Sequence, residues 1–177
     1  MKGYIKISCL LLAAITICAG CDKLNNGAKQ DSNKTVRVHG TVGVDCFTTA
    51  EGKNYGLYGV RASSVPISLP WEKDYKDEAR KFFSDSLTGK EVKIVVKIEY
   101  KPGASNAAIT YDEALVYLPD GILLNEKLLE EGYAHVNTNE LQNDSGTLER
   151  FQKIENAARA AKKGAWKYWA DKMPANH

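Results

Sequence analysis

Val42-Gly43-Val44-Asp45-Cys46-Phe47-Thr48, followed by Tyr55-Gly56-Leu57-Tyr58-Gly59-Val60-Arg61-Ala62, is the stretch that decides how this chain is read. Both segments are rich in β-branched and aromatic residues, and Glu51-Gly52-Lys53-Asn54 between them supplies turn chemistry. Together they predict paired short strands, with the same patterning already begun at Val36, Val38 and Thr41. Downstream, Ser63 to Pro70 holds two prolines and is expected to form an irregular loop.

Working outward, Tyr75, Ala79, Phe82, Phe83 and Leu87 recur at helical spacing between Glu72 and Leu87, and Gly89 ends the run. Val92, Ile94, Val96 and Ile98 alternate with polar residues, the pattern of a half-buried strand. Lys101 to Ala108 is loop-like, Ala114 to Leu118 strand-like, and Pro119-Asp120-Gly121 turns the chain into a short helix, Leu124 to Glu131. Asp144 or Ser145 is placed to cap a last helix carrying Leu148, Phe151, Ile154, Ala158 and Ala161 on one face, with Gly164 as its stop. Short strands with helices interspersed define an α+β class, and periodicity alone leaves several arrangements open.

The N-terminus has a different character. Lys2 and Lys6 precede an apolar run, Ile7 to Ala19, that is too short to span a bilayer as a mature helix. Residues 1–20 read as a secretory signal, to be set aside from the fold. Ile17-Cys18-Ala19-Gly20-Cys21 resembles a bacterial lipobox, departing from it at Cys18. That resemblance implies acylation of Cys21, a lipid anchor in a membrane, and an extracytoplasmic place in the cell envelope. Ordinary secretion, with Cys21 a passenger, is the alternative. Residues 21–35 are polar and read as a flexible linker, 36–170 as the folded domain and 171–177 as a tail.

Charge and cysteine narrow the function. The chain has 24 Lys+Arg against 22 Asp+Glu; two of the lysines lie in the signal, leaving the mature chain with no formal net charge. Proteins that clamp polyanions usually carry a basic excess, because phosphate neutralisation supplies most non-specific affinity. Nucleic acid is therefore not the favoured partner. Of four cysteines, Cys9 and Cys18 fall in the signal and Cys21 at its end, so Cys46 has no internal disulfide partner and reads as a small buried apolar residue. His39, His135 and His177 are scattered, with no zinc-ligand spacing.

The chain resembles the thermonuclease (staphylococcal-nuclease-like) domain family over roughly Val36 to Trp166. The resemblance rests on the opening segments and on three further runs. These are Lys76-Asp77-Glu78-Ala79 through Leu87-Thr88-Gly89-Lys90-Glu91-Val92, Leu118-Pro119-Asp120-Gly121 through Gly132-Tyr133-Ala134-His135-Val136, and Phe151 through Lys163-Gly164-Ala165-Trp166. It implies a five-stranded OB-type β-barrel with about three packed helices. It also implies phosphodiester cleavage, with a calcium ion held by carboxylates and a backbone oxygen, a glutamate acting on the attacking water, and two arginines holding the phosphoryl oxygens.

Carried over residue by residue, the resemblance retains one metal-binding aspartate, Asp45. The first catalytic arginine falls on Gly56, the second metal aspartate on Arg61 and the backbone metal ligand on the carbonyl of Ala62. The Pro-Glu pair falls on Ser63 and Ser64, and the last arginine on Tyr111 or Asp112. No arginine lies between Arg80 and Arg150 to replace it. A missing general base costs about 10²–10⁴ in rate, and a missing phosphate-clamping arginine about 10³–10⁵. Two readings of Arg61 stand: its guanidinium replaces the ion and pairs with Asp45, or it points to solvent while Asp45 is a turn residue.

Other residues have bland readings beside sharp ones. Trp71, Trp166 and Trp169 offer stacking surfaces for bases, against core or helix-end packing for Trp166. Lys162, Lys163 and Lys167 offer a phosphate or headgroup patch, against compensation of a helix C-terminus. Glu130 and Glu131 read as a solvated helix face and His135 as structural. Glu72, Glu99 and Glu113 are candidates for a relocated base, with nothing in the sequence fixing any of them near Asp45.

The expectation is thus a lipid-anchored envelope protein with an emptied thermonuclease-like site, no cofactor, and a binding or structural role. The barrel face or the Leu69-Pro70-Trp71 loop would meet an envelope protein partner. A divergent calcium-dependent nuclease is the first alternative, and a metal-free binder of single-stranded nucleic acid the second.

Overall fold

A computed structural model describes residues 32–62, 70–100 and 111–169. Five strands close a barrel in the order β1-β2-β3-β6-β5: β1 (Ser32–Val42), β2 (Cys46–Thr49), β3 (Asn54–Leu57), β5 (Glu91–Ile98) and β6 (Asp112–Tyr117). Two short strands, β4 (Val60–Arg61) and β7 (His135–Val136), form a separate antiparallel ribbon. This is the expected OB-type architecture.

Closure depends on β1, which is long enough to serve two neighbours. Its first half pairs with β5, from Ser32 opposite Val96 to Arg37 opposite Glu91, and its second half pairs with β2. The register shifts between Val38 and Gly40, where an irregularity of this kind bends a strand from one neighbour to the next. The linker therefore ends four residues earlier than expected: Ser32 to Thr35 belong to the sheet, because backbone groups opposite Lys93 to Val96 give them ladder partners that their polar composition does not advertise. The other closing pair, β3 with β6, is parallel and sets Gly56 opposite Glu113.

Alternation fills the barrel. Val92, Ile94 and Val96 from β5, Ala114 and Val116 from β6, Phe47 from β2 and Tyr55 and Leu57 from β3 are buried. Each fully buried large side chain of this kind contributes about 1.5–3 kcal/mol. The expected strand Tyr55–Val60 is broken at Tyr58-Gly59, where the chain turns out of the barrel into β4. Gly59 has φ +75°, a backbone region closed to most side chains.

Helices pack on the barrel. α1 (Pro70–Leu87) starts two residues before the expected Glu72, so Pro70 and Trp71 form its first turn rather than a loop. Proline is pre-organised for that position and has no N–H to leave unbonded there. Its buried stripe, Tyr75, Ala79, Phe83 and Leu87, repeats every four residues. α2 (Leu124–Glu130) buries Leu124, Leu128 and Leu129. α3 (Ser145–Ala160) is capped by Asp144, whose carboxylate accepts from the Thr147 N–H. α4 (Trp166–Trp169) is a single turn. Among the described residues every buried side chain lies between Val38 and Trp166, within the compact unit Asp31–His177.

One polar residue sits at the centre. Asn125 of α2 is wholly buried; its side chain accepts from the Val116 N–H and donates to the carbonyls of Tyr58 and Ala114. It satisfies backbone groups that the barrel's parallel edge leaves over, and so fixes α2 to the corner from which β4 departs.

Candidate functional site

The residues singled out by the sequence gather at one end of the barrel, where β3 leaves it and β6 enters. Asp45 lies in the β1–β2 turn, half-buried, and its carbonyl accepts from the Leu57 N–H. Gly56 lies on β3, opposite Cys46 on one side and Glu113 on the other. The Tyr111 ring covers Gly56 so closely that a Cβ there would lie 2.5 Å from its Cε2. Any side chain at position 56 must displace that ring. Two of the positions assigned to the family's arginines are thus a glycine and the ring packed on it.

Arg61 is held by four hydrogen bonds. Its Nη1 donates to the carbonyls of Val60 at 2.9 Å and Leu57 at 3.3 Å. Its Nη2 donates to Glu113 Oε1 at 2.7 Å and to Glu140 Oε1. Both expectations for Arg61 are corrected here. It does not point to solvent, because its side chain is only 31% exposed. Its ion pairs go to Glu113 and Glu140, not to Asp45, whose charge reaches it only as a weaker background field.

The carboxylates come from distant parts of the chain. Parallel pairing of β3 and β6 delivers Glu113 beside Gly56. Glu140 comes from the segment between β7 and α3, where its Oε2 accepts from the Gly59 N–H at 2.6 Å and its Oε1 from Asn137 Nδ2 at 3.0 Å. A Cβ on Gly59 would lie 2.9 Å from Leu141, so the glycine is what lets this segment approach. Of the proposed relocated bases, Glu113 is therefore placed at the site, Glu99 is exposed, and the side chain of Glu72 lies outside the described residues. Glu140 had no signal in the sequence beyond being an acid in a turn.

Electrostatics follow from one guanidinium serving two carboxylates. Burial and the neighbouring Glu140 push Glu113 up to about 8, against the opposing pull of Arg61. Burial alone would lower Arg61, but the charges of Glu113 and Glu140 outweigh it and the net shift is upward. Glu113 therefore holds its proton more tightly here than an exposed carboxyl does. Burial, with the charge of Asp45, also pushes Cys46 up to about 11, so this thiol stays protonated and inert. Burial and the nearby Arg61 lower His135, which stands opposite Arg61 in the β4–β7 ribbon and is neutral at pH 7.

The remaining candidates divide. Asp112 is buried and faces away from Arg61: it pairs with Lys53 at 2.6 Å and accepts from the Tyr100 N–H at 3.0 Å, tying the β2–β3 turn to the barrel. Trp166 is buried, with the Arg159 guanidinium 4.3 Å from its ring centroid, as helix-end packing requires. Glu130 and Glu131 both pair with Lys127 on the surface of α2. Cys21, Ser63, Ser64 and Leu69, together with the side chains of Trp71 and Trp169, lie outside the described residues.

A barrel of this topology with its three helices defines an OB-type nuclease-like domain. The family model described as Staphylococcal nuclease homologue matches residues 38–168, more than half of the chain, and the chain belongs to that family. No curated protein sequence matches it.

The family implies a calcium ion, and the donor set does not fit one. Of the two positions that the resemblance assigns to carboxylate metal ligands, one is Asp45 and the other is the cation Arg61. Glu113 and Glu140 are close enough to matter but are bound to that cation. Among the described residues no group of three His, Cys, Asp or Glu side chains could hold a metal ion. A hard divalent cation needs six to eight oxygen ligands at about 2.3–2.6 Å and meets repulsion from a fixed guanidinium.

Proposed function

We propose that this is a non-catalytic thermonuclease-type domain, held at the outer face of a bacterial membrane through acylated Cys21 and serving a binding or structural role in the envelope. The observation that carries the reading is the Arg61 fork. Four of the guanidinium's donor contacts are taken by Leu57, Val60, Glu113 and Glu140, which leaves it poorly placed to clamp a phosphoryl group. The same fork occupies the two carboxylates that would otherwise add to Asp45 as metal ligands. In place of an ion bridging carboxylates, the chain has a guanidinium bridging them, and the cross-link keeps β4, β6 and the β7–α3 segment together without metal.

The deciding test is cleavage of single-stranded DNA and RNA by residues 22–177, with and without calcium. No turnover above background is expected, and calcium is expected to leave the melting temperature unchanged. Calcium-dependent cleavage that Asp45→Ala abolishes would overturn the reading. The anchor is tested separately: Cys21→Ser should move the protein from the membrane fraction to the soluble extracytoplasmic fraction and remove labelling by a fatty-acid precursor.

One observation favours a second reading, a divergent phosphodiesterase. Glu113, pushed up to about 8, has the affinity for protons that suits a general acid or base near neutrality. Cleavage lost in Glu113→Gln but retained in Asp45→Ala would select it.

A further inference from the structure

A second concavity lies away from the Arg61 site, on the outer face of β1, β5 and β6. It is an open groove of about 830 Å³ whose lining includes Thr35, Arg37, Lys90, Glu91, Lys93 and Tyr117. Strand register builds it. Thr35 stands opposite Lys93 and Lys93 opposite Tyr117, which makes one row across three strands, and Arg37 opposite Glu91 makes the next. Thr35, Arg37, Lys90 and Lys93 are all exposed.

Its cations lack the carboxylate partners that several other surface cations have. Among the described residues neither Arg37 nor Lys93 has a carboxylate within ion-pair distance, and Lys90 donates to a backbone carbonyl, that of Asp85. By contrast Lys53, Lys81, Lys127 and Arg150 are each paired with an acid. Three cations against the single carboxylate of Glu91 therefore face one concavity, with a threonine hydroxyl and a tyrosine at its side.

We propose that this groove binds the phosphodiester headgroup of an anionic phospholipid. Two observations favour this occupant over a nucleic-acid strand. The basic lining is short: the next concavity past Tyr117 and Gly121 carries Glu126 and Glu130, and its cations Arg150 and Lys127 are already paired with them. A long polyanion would run from cations into acids, whereas a headgroup needs only one phosphate's width. The second is position. Only residues 22–31 separate Cys21 from the start of β1, a reach of at most about 36 Å. Thr35 and Arg37, three and five residues into that strand, line the groove. An acylated Cys21 would thus hold the groove close to a headgroup layer, and the groove would set which face of the domain meets it. In this respect the inference rests on the anchor proposed above; the groove's affinity itself does not.

The test uses residues 22–177, which lack the acylated cysteine and retain the whole described core. Co-sedimentation with vesicles of phosphatidylglycerol and phosphatidylcholine is compared with vesicles of phosphatidylcholine alone. Binding is expected only to the former and should weaken as salt rises. Arg37→Gln with Lys93→Gln should lower the vesicle partition coefficient roughly thirtyfold, at about 1 kcal/mol per basic charge near an anionic surface, and should keep the parent melting temperature. Arg37→Glu with Lys93→Glu should lower it further, with a slightly lower melting temperature because a like charge then stands opposite Glu91. Equal binding by parent and charge-reversed chains, or no preference for the anionic vesicles, overturns the proposal. So does inorganic phosphate perturbing the groove without any vesicle binding, or single-stranded DNA outcompeting vesicles at equal phosphate concentration. Because Cys21 is absent from the assay, its failure is separate from failure of the anchor, which the fatty-acid label reports.

Discussion

Arg61 ties β4, β6 and the segment between β7 and α3 together through one side chain. Removing it leaves Glu113 and Glu140 buried without their cation, and stranded charges cost more than the lost attraction. With the guanidinium partly exposed, Arg61→Met is expected to destabilise the domain by about 2–3 kcal/mol, toward the low end of buried-pair losses, read from urea unfolding. Pairing it with Glu113→Gln should recover part of that loss above about pH 8, where Glu113 is ionised and the double variant buries one charge fewer. Glu113 also gives a signed pH dependence. Its proton affinity is higher in the folded state than in the unfolded chain, where 4.5 is the ordinary value. Its contribution is therefore fully present below about pH 4.5 and is lost as pH rises to about 8. Over that window stability should fall with a slope of at most about 1.4 kcal/mol per pH unit from this group. Glu113→Gln should flatten the slope, and an unchanged slope would show that Glu113 does not bind its proton more tightly in the folded state. Asn125→Ala leaves the Val116 N–H and the Tyr58 carbonyl without partners in the core, while the Ala114 carbonyl keeps the Tyr58 N–H, with an expected loss of about 2–4 kcal/mol.

Among the elements, the Tyr58-Gly59 corner between β3 and β4 decides whether the site assembles. The Gly59 N–H docks Glu140, and the Gly59 carbonyl accepts from the Asn137 N–H, so both backbone groups of one residue hold the β7–α3 segment. Gly59→Ala adds a Cβ at positive φ and against Leu141, for an expected loss of roughly 2 kcal/mol. Solvent exchange of the Asn137 amide should rise with it, which a uniform loss of stability would not single out. Helix α3 offers a comparison that spares the Arg61 contacts themselves: Asp144→Ala removes an N-cap, worth about 1 kcal/mol, together with the acceptor of the Tyr58 hydroxyl and the ion pair to Lys97.

For the whole molecule, β1 is the strand on which closure rests. A chain beginning at Val36 would lose the ladder partners of Lys93 to Val96, whereas one beginning at Asp31 keeps them. The shorter chain should melt several degrees lower, at about 2–4 °C per kcal/mol for a domain of this size. Equal melting temperatures would mean that the first four residues of β1 add nothing to the barrel.

Much of this was legible in the chain by itself. The helices are written in the spacing of Tyr75, Ala79, Phe83 and Leu87, and of Leu124, Leu128 and Leu129, because a helix buries one stripe every three or four residues. β5 is written in Val92, Ile94 and Val96 for the corresponding reason at period two. The family positions that the resemblance assigns to Gly56, Arg61 and Ser64 also needed no coordinates. What surrounds Arg61 was decided only by tertiary structure. Arg61 and Glu113 are 52 positions apart and Arg61 and Glu140 79 apart. Their meeting depends on a parallel strand pair and on a glycine that lets a distant loop approach. Local patterns record which face of an element is buried, but not which elements become neighbours. The barrel's closure chose Glu113 and Glu140, rather than the nearer Asp45, as the partners of the arginine at the metal position.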